Sequence, residues 1–238
     1  MANLTQLRML EELDGFVLVD KPAGIAFSTV VKTIKRKFNL VKVGHGGSLD
    51  APASGLFILL INGANRYVND VMGADRTYTG TLRLGLATNT HDIHGTILSQ
   101  SAALPDETTL RNVLANFKGD VFQTESPFCT IRREGSAQYD IADTGSHKPF
   151  MAHVYRFDMT RFAPPFVDFE IAATKGLLPK TLVNDLGASL ACGATLETLR
   201  RTRIGKFSIN DAIPFDKLLT MEAPIFASCV KSLAMALR

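Results

Sequence analysis

The sequence predicts an α+β fold with a mixed, largely antiparallel central sheet flanked by helices and loops. Segments with the apolar runs or the two-residue alternation of strands outnumber those with helical spacing. The helical segments do not alternate strictly with the strands, as they would around a parallel sheet. The chain has 238 residues, of which 46% are hydrophobic and 21% charged, a composition typical of a globular protein with a sizeable core. No linker divides it convincingly, so we expect a single domain over residues 1–238.

Six segments have strand patterns, either short apolar runs or alternating apolar and polar residues. They are residues 15–22, 56–61, 76–84, 151–161, 166–173 and 196–207. The first of them ends at Pro22 and Gly24, which predict a turn. The last is predicted to be an edge strand.

Helical spacing of apolar residues marks three further segments. Ser28 occupies an N-cap position before the first of them. The second helix opens at Pro105-Asp106, and the third covers residues 179–191, with a proline in its first turn. The C-terminus from residue 224 is apolar and is predicted to be helical.

The formal net charge of +3 is too small, as a total, to indicate a nucleic-acid-binding protein. The distribution is more informative, because residues 32–45 contain several lysines and arginines, and no acid lies between residue 32 and Asp50. A second basic cluster comprises Arg200, Arg201, Arg203 and Lys206. The two clusters predict an RNA-binding face if they meet, whereas the first is equally well explained as the solvated face of a helix.

Cysteine content and hydropathy predict a cytoplasmic protein with no membrane partner. The three cysteines show no CxxC spacing, which favours reduced thiols over a disulfide framework or a metal site. The longest apolar run, residues 56–61, is far shorter than the roughly 20 residues of a membrane-spanning helix. The first residues include acids and lack a long apolar core, so no signal peptide is expected.

The most unusual local feature is the glycine-rich segment from Gly44 to Asp50. Its glycines allow close approach of a phosphate backbone or a nucleotide, but the segment is neither a P-loop nor a dinucleotide-binding fingerprint. Asp50 ends the segment before an apolar strand, so its carboxylate is expected to be partly withdrawn from water. That position suits an acid, a base or a nucleophile, although an aspartate that caps a turn is the alternative.

Five ordered motifs resemble the bacterial tRNA pseudouridine synthase B (TruB) family. They are KPAG (21–24), GHGGSLDAPASG (44–55), DRTYTGTLRLG (75–85), TNTHDIHG (88–95) and the stretch at 174–207. The family's central motif reads roughly GHTGTLDPxATG. The resemblance extends from about Gly15 to Ile213, nearly the whole chain.

The resemblance implies a pseudouridine synthase catalytic fold and the isomerisation of a uridine in tRNA, typically at position 55 of the T arm. The base must leave the stack to be reached. Asp50 matches the family's catalytic aspartate, and Tyr78 matches the tyrosine that stacks on the target base. Lys180 stands where the family has an arginine that commonly pairs with the aspartate. No cofactor is expected, and His91, Asp92 and His94 offer too few ligands for a metal site.

The expected substrate-binding residues come from the same resemblance and from the basic segment. They are His45, Gly47, Leu199, Arg200, Lys35 and Arg36. Each has a purely structural alternative: His45 as a residue of the loop, Leu199 as core, and the cations as solvated surface. Tyr78 would likewise be an ordinary cross-strand tyrosine outside its motif context.

Four departures from the family pattern lie around the expected substrate site. Lys180 keeps the charge of the family arginine without its planar fork, and Leu178 replaces a tyrosine. Gly46 replaces a threonine, and Ala51 replaces a proline. They leave two alternatives open: an RNA-binding protein or tRNA folding chaperone that has lost activity, and a synthase that acts on another RNA.

The partner implied is tRNA, bound by a monomer without an obligate protein partner. About 25 residues follow Ile213, too few for a separate C-terminal RNA-binding domain of the PUA type. RNA binding would then depend on the basic clusters and on residues 123–150. This segment is polar and irregular, which predicts a long loop or a mobile insertion.

Overall fold

The computed structural model describes residues 12–124, 126, 128–132, 139–143 and 149–232. The chain divides into two compact units. Unit 1 comprises Met1–Ala74 and Arg203–Arg238, and unit 2 comprises Asp75–Thr202. The expected single catalytic domain over residues 1–238 stays a prediction.

The described residues form strands along the whole chain. In chain order they are β1 (Gly15–Lys21), β2 (Val43–His45), β3 (Ser54–Ile61), β4 (Arg76–Leu84), β5 (Leu86–Thr88), β6 (Ile97–Gln100), β7 (Gly119–Gln123), β8 (Phe128–Arg132), β9 (Tyr139–Asp143), β10 (Phe150–Ala163), β11 (Phe166–Ala173), β12 (Ala194–Ile204), β13 (Phe207–Ser208) and β14 (Ile213–Pro214).

The α-helices of the same residues are α1 (Phe27–Lys37), α2 (Val68–Gly73), α3 (Glu107–Ala115), α4 (Pro179–Ser189), α5 (Phe215–Thr220) and α6 (Ala223–Cys229). Short 3₁₀ helices cover Asn62–Tyr67 and Ile209–Asp211. No helix in the described part of the chain is long and apolar enough to cross a membrane.

Unit 1 is built on an antiparallel pair of strands, β1 and β3, in register from Gly15↔Ile61 to Lys21↔Gly55. Strand β2 pairs antiparallel with β3, and β14 pairs parallel with β1. β3 is buried from its second residue to its last, so apolar residues on both of its faces are covered. Phe16 and Leu18 of β1 pack with residues of β3, α2 and the end of β12 in one hydrophobic cluster. The glycine-rich segment therefore begins at β2, a strand that is paired with the buried strand β3.

Unit 2 contains the strand order β12-β4-β11-β10-β7. The registers of β11 with β4, β11 with β10, and β10 with β7 are all antiparallel. Its hydrophobic cluster gathers buried residues of these strands together with Leu110 and Leu114 of α3 and Leu182 and Leu186 of α4. Strands β5 and β6, and β8 and β9, form separate antiparallel pairs.

The predicted α+β class with a mixed, mostly antiparallel sheet is confirmed. The six predicted strands correspond to β1, β3, β4, β10, β11 and β12, and the predicted helices to α1, α3, α4 and α6. Helix α3 follows Pro105-Asp106 as predicted, and Asp106 is its N-cap, because its Oδ1 accepts a hydrogen bond of 2.7 Å from the Thr109 N–H.

The prediction that Ser28 caps the first helix is wrong. Helix α1 begins at Phe27, and its N-cap is Ala26, which has an extended backbone and no side-chain capping bond. The Phe27 ring lies 5.0 Å from the His45 ring and 6.1 Å from the Phe57 ring, measured between centroids. Aromatic packing, rather than a capping hydroxyl, therefore stabilises the start of this helix.

The prediction of a long loop over residues 123–150 is also wrong for the residues that are described. Gln123 ends β7, Phe150 begins β10, and β8 pairs antiparallel with β9 from Phe128↔Asp143 to Arg132↔Tyr139. The ladder depends on backbone hydrogen bonds, which a polar composition does not reveal. Residues 125, 127, 133–138 and 144–148 lie outside the described residues.

The segment predicted as an edge strand, residues 196–207, contains β12, which is an interior strand of its sheet. Arg201 in the middle of this strand is only 2% exposed. The run of arginines therefore does not mark a solvent-facing edge.

Candidate active site

The glycine-rich segment of unit 1 follows β2 and is shaped by its glycines. Gly46 donates a hydrogen bond of 2.9 Å to Ile58 O, and a Cβ at this position would overlap Val71. Gly47 has a φ of 115°, in the left-handed region that favours glycine. Both glycines are buried. Gly46 stands where the family has a threonine, and its lack of a side chain allows the loop to pack closely on β3 and α2.

His45 is held in an aromatic cluster at the start of this loop. Its ring is stacked on Phe57, with centroids 5.7 Å apart and an interplanar angle of 25°, and is tilted against Phe27. Its Nδ1 accepts a hydrogen bond of 3.3 Å from the Gly47 N–H. The imidazole is therefore fixed by both packing and hydrogen bonding.

Asp50 is exposed, which corrects the expectation of a carboxylate partly withdrawn from water. Its neighbours Leu49 and Ala51 take the buried positions, at 5% and 7% exposure. The Asp50 carbonyl accepts a hydrogen bond of 3.1 Å from the Ala53 N–H, which closes a turn before β3. The carboxylate thus lies at the surface of a loop whose backbone is anchored on either side.

Lys21 is a residue of this site to which sequence reasoning gave no role. It has no exposed surface, yet its Nζ donates to Ile25 O at 2.8 Å, to Pro22 O at 2.9 Å and to Ala51 O at 3.4 Å. The Gly24 N–H also donates to Ala51 O, at 2.7 Å. The KPAG turn is thereby tied to the residue that follows Asp50. The KPAG motif could have indicated this role of Lys21, because a lysine next to Pro22 in an apolar strand needs polar partners.

Tyr78 lies in β4 of unit 2 and is 6% exposed. It pairs in register with Ile171 of β11. Arg76, two residues earlier on the same face of the strand, is 7% exposed. Burial lowers the pKa of Arg76, and the nearby Tyr78 and Asp75 oppose that shift. Tyr78 therefore lies close to a buried cation.

Lys180 lies in the first turn of α4 and is half-buried. The backbone in front of this helix is held by Gln123, which is 2% exposed. The Gln123 Nε2 donates to Leu178 O at 3.1 Å, and its Oε1 accepts from the Leu178 N–H at 2.9 Å. Sequence reasoning missed Gln123, because it placed this residue in an irregular loop.

The turn at residues 88–95 lies near Lys180. Its Asp92 is 6% exposed, and Asp92 Oδ1 accepts from Thr90 Oγ1 at 2.9 Å and from the His94 N–H at 3.0 Å. Burial and the positive charge of Lys180 lower the pKa of His91, while the charge of Asp92 raises it. Among the described residues, no group of three or more His, Cys, Asp or Glu is arranged to hold a metal ion.

The remaining predicted residues are distributed over both units. In unit 1, Lys35 and Arg36 are exposed in the last turn of α1. In unit 2, Leu199 packs against the hydrophobic cluster, and Arg200 is half-buried. Unit 1 thus brings His45, Gly47 and Asp50 together in one loop, whereas Tyr78, Lys180, Leu199 and Arg200 lie on β4, α4 and β12 of unit 2.

Models of known protein families match most of the chain. A family model described as TruB family pseudouridylate synthase (N terminal domain) matches residues 35–178, more than half of the chain. The chain belongs to the TruB family of pseudouridylate synthases. A second model, described as tRNA pseudouridylate synthase B C-terminal domain, matches residues 180–232.

Curated relatives of this TruB-family chain carry the name tRNA pseudouridine synthase B. The protein of Opitutus terrae is 38% identical over 218 residues, which cover 90% of each chain. That of Burkholderia pseudomallei strain 668 is 34% identical over 209 residues, 87% of this chain and 69% of the relative. That of Bordetella avium is 33% identical over 220 residues, 90% of each chain.

Solved structures show the fold. An archaeal box H/ACA sRNP Nop10-Cbf5 complex contains a chain that matches with a TM-score of 0.70 and 24% identity over 96% of this chain. A chain of an H/ACA RNP bound to a substrate RNA containing 2'-deoxyuridine matches with a TM-score of 0.71 and 23% identity over 99% of this chain. The present chain spans 62% and 63% of the length of those two chains. The predicted pseudouridine synthase fold and enzyme class are confirmed, and the roles of individual residues stay predictions.

Proposed function

We propose that this TruB-family chain isomerises a uridine of tRNA to pseudouridine, at position 55 of the T arm. The tRNA substrate is supported by the names of the curated relatives, which match 87% to 90% of the chain. The T arm and the position within it rest on the motif resemblance. We further propose that the chain acts on the RNA as a monomer.

The proposed reaction is balanced without a redox partner. The N1–C1′ glycosidic bond of the uridine breaks, the base rotates, and a C5–C1′ bond forms. The hydrogen at C5 leaves as a proton, and N1 gains a proton. Breaking a glycosidic bond builds positive charge on the sugar, and a carboxylate can stabilise that charge, attack the carbon or accept a proton.

Asp50 is the residue that we assign to this step. The observation that carries the assignment is its exposed position in a loop whose neighbouring backbone is anchored by Lys21 and by pairing with β3. A reactive group on a fixed loop loses little conformational freedom when substrate binds. The anchoring therefore supports a functional aspartate over one that merely caps a turn.

Tyr78 and Lys180 are the proposed companions of Asp50 in catalysis. The role proposed for Tyr78 is to stack on the extruded base, and aromatic stacking on a nucleobase is worth about 1–3 kcal/mol. Lys180 supplies a positive charge. His45, Gly47, Leu199, Arg200, Lys35 and Arg36 are the proposed RNA-binding residues.

The test is a modification assay on tRNA transcripts with pseudouridine mapping. The wild-type chain should convert the T-arm uridine, and Asp50→Asn should lower the rate by at least about 100-fold, the usual contribution of a catalytic acid or base. RNA affinity measured on the same transcript should change little. Glu12→Gln, which removes a carboxylate at another exposed position, is the matched control and should keep the wild-type rate.

Two outcomes of this assay would overturn parts of the proposal. Wild-type product from Asp50→Asn would remove Asp50 from catalysis. Tight tRNA binding by the wild-type chain without any product would favour an RNA-binding protein or folding chaperone. The replacement of the family arginine by Lys180 is the observation that favours this second function.

A further inference from the structure

Gln123 joins the end of a strand to the start of the helix that carries Lys180. It is the last residue of β7, where it pairs in register with Phe150 of β10, and it is 2% exposed. Its Oε1 accepts from the Leu178 N–H at 2.9 Å, and its Nε2 donates to Leu178 O at 3.1 Å. Both polar ends of one buried amide are thus bonded to the backbone of a single residue.

The two bonds of Gln123 are directional, which a residue that only fills the core does not require. Burying an amide costs free energy unless its donor and its acceptor are both bonded. A side-chain amide presents a donor and an acceptor in one plane, so it can match the N–H and C=O of one residue as a neighbouring strand does. Gln123 therefore fixes the orientation of the Leu178 backbone as well as its position.

The fixed backbone of Leu178 leads directly to Lys180. Leu178 is the N-cap of α4, with an extended backbone and no side-chain capping bond, and its carbonyl also accepts a helical bond of 3.1 Å from the Leu182 N–H. Pro179 follows, and its ring restricts φ to about −65°. Lys180 comes next in the chain, so few freely variable torsions separate its backbone from the bonds of Gln123.

A second residue that follows β7 holds another element of unit 2 near Lys180. Ser126 is 4% exposed, and its Oγ donates to Asn89 O at 2.6 Å, in the turn at residues 88–95. Burial and the charge of Lys180 lower the pKa of His91 in this turn, so the charge acts on it. Gln123 and Ser126 thus hold, respectively, the helix that carries the Lys180 charge and the turn on which that charge acts.

A lysine depends on a fixed backbone more than an arginine does. Its ammonium lies at the end of a flexible four-carbon stem and lacks the planar fork of a guanidinium. A charge that stabilises a transition state acts best when it is held in place before the reaction. A displacement of about 1 Å can lower a rate about 100-fold. The half-buried Lys180 is therefore sensitive to the position of the backbone from which it extends.

We propose that Gln123 is a positioning residue for the isomerisation, which holds the Leu178 backbone so that the Lys180 ammonium stays in place at the reacting nucleotide. The inference rests on the proposed function, in which Lys180 supplies a positive charge. Gln123 acts through Lys180 and not on the RNA itself. Its loss should therefore lower kcat while tRNA binding is retained.

Gln123→Met tests this role, because methionine fills similar space without the amide's donor and acceptor. Its kcat on a tRNA transcript should fall about 10- to 100-fold, while the Kd for the same transcript stays within about twofold of wild type. Its melting temperature should fall by about 3–10 °C, so kinetics are measured where circular dichroism shows the native fold. Gln123→Glu keeps an oxygen that can accept from the Leu178 N–H, so its kcat should lie between the other two. Gln100→Met, at an exposed glutamine of β6, is the matched control and should keep the wild-type kcat.

A double-mutant cycle with Lys180→Met separates positioning from stability. Lys180→Met should lower kcat, and adding Gln123→Met should then lower it by less than about twofold more, whereas the fall in melting temperature should be similar in both backgrounds. Gln123→Glu takes the place of Gln123→Met in the cycle if the latter does not fold.

An equal fold-loss of kcat in both backgrounds would overturn the inference, and so would a wild-type kcat for natively folded Gln123→Met. A wild-type kcat for Lys180→Met would remove Lys180 from the chemistry and the inference with it. Absence of product from the wild-type chain would instead contradict the proposed function itself.

Discussion

At the scale of single residues, Lys21 shows how one buried side chain holds the segment that carries Asp50. Its ammonium has no exposed surface and reaches three backbone carbonyls, one of which belongs to Ala51. A buried charge is stable only when its hydrogens are satisfied, and these carbonyls provide that compensation. The position of Asp50 therefore depends on a residue 29 places earlier in the chain.

Lys21→Met tests this dependence. Methionine fills similar space but donates no hydrogen bond, so the Ala51 and Ile25 carbonyls each lose a donor. We expect the free energy of unfolding to fall by about 1–3 kcal/mol, measured by urea denaturation, together with a lower modification rate. Lys42→Met, at an exposed lysine, should change stability by less than about 0.5 kcal/mol. Equal stability of Lys21→Met and wild type would contradict a structural role for the ammonium.

At the scale of elements, helix α3 depends on its first-turn cap. Asp106 accepts from the Thr109 N–H, and this hydrogen bond lowers the pKa of the Asp106 carboxyl. Leu110 and Leu114 of the helix, at 0% and 5% exposure, pack into the hydrophobic cluster of unit 2. A weaker cap would therefore loosen a helix that covers the core of this unit.

Replacing Asp106 tests the cap and its pH dependence. Asp106→Ala should lower the melting temperature at pH 7. Asp106→Asn keeps a capping oxygen, so its melting temperature should lie closer to that of wild type. Because the folded pKa lies below the usual 3.8, the ionised cap stabilises above that value. This stabilisation is lost as the pH falls through the lowered pKa. A difference in melting temperature between wild type and Asp106→Ala that grows below pH 4 would contradict this role of the ionised cap.

The elements also show what the sequence could and could not predict. The alternation in β4 and the opening of α3 at Pro105-Asp106 are local patterns, and both were predicted correctly. The pairing of β8 with β9 depends on contacts between separate segments, and the start of α1 depends on the packing of Phe27 against distant rings. Asp50 was found through its motif, but its exposure follows from which neighbours enter the core. Gln123 could not be found, because its role requires Leu178 beside it.

At the scale of the whole molecule, the net charge of +3 describes RNA binding poorly. Lys32, Lys35, Arg36, Lys37 and Lys42 are all exposed, whereas Arg201 of the second cluster is buried. Localised cations bind phosphates and release counterions, so their number appears in the salt dependence of affinity. The exposed segment of α1 is therefore expected to contribute more than the total charge suggests.

Lys35→Glu combined with Arg36→Glu tests this contribution. The double substitution should weaken tRNA binding and reduce the slope of log Kd against log salt by about 1 for each phosphate that the variant no longer neutralises. Lys217→Glu, at an exposed position on α5, alters charge elsewhere and should leave the slope nearly unchanged. A double variant with the wild-type slope would show that the last turn of α1 does not contact RNA.

The central claim is that this TruB-family chain moves the glycosidic bond of a tRNA uridine from N1 to C5 with Asp50 as the essential carboxylate. The most direct measurement uses a tRNA transcript with tritium at C5 of its uridines, because the isomerisation must release that hydrogen to water. The wild-type chain should release the tritium of the T-arm uridine, and Asp50→Asn should bind the same transcript without release. Equal tritium release by wild type and Asp50→Asn, or no release by the wild-type chain bound to tRNA, would contradict the claim.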